Sequence, residues 1–139
     1  MGQLAEHVTN HPFLVAGLLA MLAAVLFVEV RLRSQGQMQI SPADAVRLIN
    51  AGAIVVDVRK PEEYRNGHIV NARNVELAQV DPEHAALKKQ KKKVLITVCE
   101  NGINSNRAAG LLRKAGFEKV FSLKGGLTGW RADNLPLVK

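Results

Sequence analysis

The chain has 139 residues, room for one domain of ordinary size, and its 4% aromatic content leaves Val, Leu, Ile and Ala to build the core. One cysteine excludes an intrachain disulfide, and no clustered Cys and His suggests a zinc site, so a reducing compartment is the simpler setting. The net charge of +7 and pI near 9.9 come without an aromatic stacking platform or a groove-reading helix, which argues against nucleic acid and for a membrane surface.

Residues 1–12 contain no Lys or Arg. From Phe13 to Val28 no residue is charged, and the run closes at Glu29, followed by Arg31 and Arg33. A membrane-crossing helix needs ~20 apolar residues, with ~17 sufficient. Residues 13–30 reach that length when Glu29 snorkels into the headgroups. A cleaved signal peptide would start basic and a soluble helix would show a polar face, and neither feature is present. All 19 basic residues lie from Arg31 onward, against ten of the 12 acids, so the part beyond the span carries formally +9 (19 − 10). The positive-inside rule then places residues 1–12 outside and the following domain on the cytoplasmic side of a bacterial-type plasma membrane.

Residues 31–37 read as a linker, leading to a brief strand at Met38–Ile40. Ser41 can cap a helix that has Pro42 in its first turn and Asp44 three residues after the cap, with Gly52 as its stop. Ile54–Val58 is a nearly continuous β-branched run, the pattern of a strand covered on both faces. Pro61–Asn66 predicts a short helix, Ala72–Val75 a short strand, and Asp81-Pro82-Glu83 a helix start fading into Lys88, Lys89, Lys91, Lys92 and Lys93. Such a lysine run is usually a solvated end; its other use is to attract anionic lipid. Val94–Val98 predicts a second buried strand, Ser105–Ala115 a helix stopped by Gly116, and Val120–Leu123 a last strand before Gly125-Gly126 and Trp130. Alternating strands and helices give an α/β class with a parallel sheet covered on both faces.

Cys99 directly follows a predicted strand, at the sheet edge where ligands of open α/β sheets gather. The residues after it, Glu100-Asn101-Gly102-Ile103-Asn104-Ser105, form a tight loop opening into a helix, whose N-terminal N–H groups suit an anionic sulfur, a persulfide or an oxyanion. Gly102 lets the backbone curl so that several amides converge on one point. Position alone also fits an inert buried cysteine.

Asp57-Val58-Arg59, Glu63-Tyr64, Gly67-His68-Ile69 and Ala72, Cys99-x-x-Gly102-x-Asn104-Ser105, and Gly125-Gly126-Leu127-x-Gly129-Trp130 together resemble the rhodanese-like family over roughly residues 38–137, in a domain assigned to residues 38–139. The resemblance implies a doubly wound α/β fold, sulfur transfer through a persulfide on Cys99 to a thiol or cyanide acceptor, commonly from thiosulfate, and no metal or organic cofactor. Active members usually have Arg where Asn104 stands here, and Glu100 adds a negative charge beside the thiol. Weak thiosulfate activity is therefore expected, with Arg59 or Arg107 as substitutes for the missing cation. The related phosphatase loop is one residue longer and ends in Arg, where this chain has Ser105. Asp57 and Glu63 are expected to tie loops together, His68 to fix a turn and Trp130 to pack in the core. The alternative function is a non-enzymatic adaptor for membrane-protein machinery at the cytoplasmic face; a redox sensor using Cys99 ranks last, since the chain has no resolving cysteine.

Overall fold

The computed structural model describes residues 1–36 and 38–139, in two compact units, Met1–Gln37 and Met38–Lys139. The first unit holds helix α1 (Gly2–Asn10) and helix α2 (Pro12–Gly36). They are separate helices because Pro12 disfavours helical geometry at the residue before it, and His11 sits at φ −132° and ψ 59°. The α1 helix has no long apolar run and therefore carries no membrane-span signal. Residues Pro12–Arg33 of α2 form a 22-residue stretch, long and apolar enough to cross a membrane, with none of it buried. At 1.5 Å per residue that stretch measures ~33 Å, about the thickness of a hydrocarbon core. The sequence reading ended the span at residue 30 and began a linker at 31. The helix instead continues to Gly36, and Arg33 pairs at 2.6 Å with Glu29 one turn back, the spacing at which opposite charges support a helix. Residue 37 of that linker lies outside the described residues.

The second unit is a five-stranded, all-parallel sheet in the order β1-β5-β4-β2-β3, comprising β1 (Gln39–Ile40), β2 (Ile54–Asp57), β3 (Arg73–Asn74), β4 (Val94–Val98) and β5 (Lys119–Leu123). Its helices are α3 (Pro42–Asn50), α4 (Pro61–Arg65), α5 (Ile103–Lys114) and α6 (Gly126–Ala132), with a 3₁₀ turn at Leu77–Gln79. Helix α3 starts as its sequence requires: the Ser41 hydroxyl accepts the Asp44 amide at 3.2 Å, and Pro42 occupies the first turn. Side chains of successive strand residues alternate between faces. Val56, Val58, Leu95 and Val120 pack with Leu112 and Phe117 on the α5 face, while Val55, Ile96, Val98 and Leu123 pack with Ala45 of α3 and with Leu127 and Trp130 of α6 on the other. Both layers are closed, which is why β2 and β4 are apolar almost throughout. Trp130 is core as expected, with its indole N–H donating to the Pro136 carbonyl at 3.0 Å.

The helix expected from Asp81 is absent. Asp81 Oδ1 does accept the Glu83 amide at 2.7 Å, so the start signal acts locally, but residues 82–89 form turns around the buried Leu87. A helix through this segment would stack Lys88 over Lys92 and Lys89 over Lys93, like charges at the spacing that destabilises it. The C-terminal segment around Trp130, left unassigned by the sequence, is α6.

The connection from α4 to β3 is braced by Tyr64. Its ring stacks on His68 with centroids 3.8 Å apart, and its hydroxyl donates to the Ala72 carbonyl at 2.6 Å. His68 Nδ1 lies 2.8 Å from the Tyr64 carbonyl oxygen, and its backbone amide pairs with Val138, so this residue fixes a turn. Burial, and then the charge of Asp57, raise the Tyr64 phenol above its ordinary pKa of 10.0. A raised folded-state pKa means that the stabilisation is complete below 10 and fades as pH rises past it, because the unfolded chain then releases the proton first. Tyr64→Phe is expected to cost about 1 kcal/mol at neutral pH through the lost hydrogen bond. Urea unfolding of both proteins should show that difference narrowing above pH 10.

Candidate active site

Strand β4 is central in the sheet, and Cys99 stands just past its C-terminal end, 3% exposed. The chain must reverse there into α5, and Gly102, at φ +93°, makes the reversal. This turns the Gly102 N–H onto Cys99 Sγ at 3.0 Å. The thiol lies 3.4 Å from Ser105 Oγ as donor, and the Ser105 hydroxyl donates to the Gly102 carbonyl at 3.1 Å. A hydroxyl has one proton and can rotate. Ser105 accepts from a thiol in this arrangement, and by turning it can donate to a sulfur anion.

The sequence expected several amides to converge on the sulfur, but among the described residues Gly102 supplies the one bonded to it. The Ile103 N–H is taken by Asn101 Oδ1 at 3.0 Å, an Asx turn immediately ahead of α5, which starts two residues before the expected Ser105. The loop is gripped from behind by α6: the Leu127 amide donates to the Cys99 carbonyl at 2.9 Å, and the amide and hydroxyl of Thr128 both donate to the Glu100 carbonyl at 3.0 Å. With these carbonyls held toward α6, the opposite side of the loop faces the cavity.

Arg59, at the end of β2, is buried beside Asp57, which it meets through Nε at 3.0 Å and Nη2 at 2.8 Å. Nη2 also donates to the Gly67 carbonyl at 2.7 Å, and Nη1 lies 3.4 Å from Glu100 Oε2. Burial by itself opposes the charge, yet the hydrogen bonds and charge of Asp57, then the charges of Glu100 and Glu63, outweigh it and raise the guanidinium pKa above its ordinary value. The other oxygen of Glu100 is bonded to Arg131 of α6. The carboxylate beside the thiol is therefore held between two guanidinium groups.

A cavity of about 430 Å³ opens at this edge, lined by Cys99, Glu100, Asn101, Asn104 and Arg59, and walled by Val58, Lys60, Glu63, Glu76, Leu77 and Ala78. Its formal charges are two positive (Arg59, Lys60) and three negative (Glu63, Glu76, Glu100), a sum of −1. Ser105 is fully buried behind the sulfur, and Ile103 points outward, 72% exposed. Arg107 is exposed on α5 and does not line the cavity, unlike Arg59. Glu63 Oε2 accepts the Lys60 amide at 3.4 Å, and Asp57 is spent on Arg59, so both tie loops together. No group of three His, Cys, Asp or Glu able to hold a metal ion occurs among the described residues.

The model of the rhodanese-like domain matches residues 41–133, two thirds of the chain and nearly all of its second unit. The chain belongs to the rhodanese-like family. Among solved rhodanese-like folds, it is similar to a rhodanese-related protein of Thermoplasma volcanium, with a TM-score of 0.65, 28% identity, and coverage of 72% of this chain and 96% of that one. Among sequences, it is 36% identical to YibN of Escherichia coli strain K12 over 100% of this chain and 99% of that protein. It is also 36% identical to the thiosulfate sulfurtransferase GlpE of Stutzerimonas stutzeri, over 67% of this chain and 84% of that one.

Among the charged residues around this site, Arg131, Glu76 and Lys60 carry no site signal in the sequence, and Lys60 lines the cavity simply by following Arg59. Arg131 is 31 positions from its partner Glu100, and no local pattern links them. Glu76 sits in an unremarkable polar stretch and reaches the cavity wall only because β3 is so short that the chain turns there into the 3₁₀ segment.

Proposed function

We propose that the protein is a membrane-anchored sulfurtransferase that carries sulfane sulfur as a persulfide on Cys99. The observation that carries this reading is the sulfur at the end of β4, bonded to the Gly102 amide at 3.0 Å and opening on a cavity large enough for a small organic donor. The Cys99 thiolate attacks the outer sulfur of a donor R–S–SH. A new S–S bond forms on Cys99 as the donor's S–S bond breaks, and the bonding pair leaves on R–S⁻, which water protonates. The added sulfur extends ~2 Å into the cavity, and an acceptor thiol removes it by the same displacement. The similarity to a thiosulfate sulfurtransferase supports the reaction class. The anchor is the apolar stretch of α2, with the basic side of the chain in the cytoplasm.

The same cavity argues against thiosulfate as the preferred donor. It carries formally −1, and Asn104 supplies no charge where a dianion would need one. An organic persulfide, with less charge to place, suits it better. Intact-protein mass spectrometry tests the reading: one added sulfur atom on Cys99 after treatment with a small-molecule persulfide, absent in Cys99→Ala, is expected. Repeated absence of that adduct overturns it in favour of a non-enzymatic adaptor at the membrane. Asn104→Arg is expected to raise kcat/KM for thiosulfate about tenfold, the effect of one charge-assisted hydrogen bond, while leaving the rate with the persulfide nearly unchanged. An unchanged thiosulfate rate would sink the charge argument.

A further inference from the structure

The two edges of the sheet differ in chemistry. Cys99 and its acidic cavity stand at the carboxyl edge. At the opposite edge, the turns before β4 and the connection from α5 to β5 gather Lys88, Lys89, Lys91, Lys92, Lys93, Lys114 and Lys119, with Val94 paired directly against Lys119. All seven ammonium groups are exposed, and none is in an ion pair among the described residues. Glu118 is the one carboxylate in residues 84–93 and 114–119. A cavity of about 330 Å³ opens between Lys92 and Lys93 on one side and the end of α3 on the other, with Leu48, Ala53 and Val94 as its apolar lining. Strand β1 runs parallel to β5, with Gln39 opposite Ser122, so at Met38 the chain is already running from the lysine edge toward the Cys99 edge.

We propose that this edge docks on a bilayer surface rich in anionic phospholipid, one headgroup phosphate sitting between Lys92 and Lys93 over the apolar floor. Lysines are flexible point charges, suited to a fluid anionic surface rather than to bidentate recognition of a fixed partner. Attraction of this kind acts within a Debye length of ~8 Å, so it requires the lysines to be exposed and unpaired, as they are. From Lys93 to Cys99 is six residue steps along β4 and its ends, ~20 Å. Docking therefore turns the thiol away from the headgroups, toward soluble donors and acceptors.

The test uses the full chain in nanodiscs of phosphatidylcholine alone, or with ~30% phosphatidylglycerol, acetylated briefly and read lysine by lysine by mass spectrometry. Labelling of Lys92 and Lys93 is expected to fall at least ~threefold in the anionic discs and to recover in ~0.5 M salt. Lys60 and Lys124, at the Cys99 edge, should label equally in both. Equal labelling of Lys92 and Lys93 in the two lipids, whether high or low, overturns charge recognition. A parallel fall at Lys60 and Lys124 overturns the assignment to this edge. Replacing Lys92 and Lys93 together by Gln should weaken the protection of Lys88, Lys89 and Lys91, and undiminished protection there overturns the phosphate seat.

Discussion

Gly126→Ala is expected to lower stability by about 4 kcal/mol, shift the melting midpoint down ~20 °C, and abolish sulfur loading of Cys99 in whatever folds. A Cβ built on Gly126 would lie 2.4 Å from the Cys99 carbonyl oxygen and 2.7 Å from the carbonyl carbon and oxygen of Glu100. These are backbone atoms, so no side-chain rotation relieves the overlap. The residue also has φ +58°, a conformation that costs a non-glycine residue ~1–2 kcal/mol before any clash. Separating loop from helix would break the bonds from Leu127 and Thr128 that fix the loop carbonyls, and with them the direction of the Gly102 amide. Gly52→Ala separates the two costs: that glycine has φ +101° but nothing within 4 Å of the added methyl. It should cost only the ~1–2 kcal/mol of backbone strain. Thermal unfolding of the two variants side by side checks the claim, and equal losses would refute the close-approach argument.

The same glycine shows where sequence reading succeeds and where it stops. Gly125-Gly126 was legible as a motif, yet its use, letting α6 press against the thiol loop, depends on two segments more than twenty residues apart. Local signals were legible wherever one physical term dominates. The β-branched run at Ile54–Val58 and the apolar run at Val94–Val98 are strands because both faces are covered, and Ser41-Pro42 starts a helix because capping is local. The parallel sheet with helices on both faces follows from their alternation. At Asp81 the local start signal was real, but the repulsion within the lysine run prevailed. In the loop, the spacing of Cys99, Gly102 and Ser105 was readable, whereas the seizure of the Ile103 amide by Asn101 is a choice among donors that spacing does not encode. Arg59 is the sharpest case. Its charge was visible, and its commitments were not.

Arg59→Leu is expected to destabilise the domain by about 3–5 kcal/mol, because it leaves Asp57, 1% exposed, as a buried carboxylate without its cation. Of the five N–H donors of the guanidinium, Nε and both on Nη2 go to Asp57 and the Gly67 carbonyl, and one on Nη1 faces Glu100, so a single N–H remains for a ligand. Its main work is therefore structural: it joins the end of β2 to the turn at Gly67 and to the thiol loop. If so, removing the stranded charge should restore much of the loss, and the double variant Asp57→Asn with Arg59→Leu should be at least ~2 kcal/mol more stable than Arg59→Leu alone. Urea unfolding with unchanged m-values measures this coupling. Additive losses would mean that the pair does not act as a unit, leaving Arg59 free to serve as the anion-binding cation in place of Asn104. Coupled losses, together with a thiosulfate gain in Asn104→Arg, would instead separate an arginine that holds the site together from the arginine position that selects the donor.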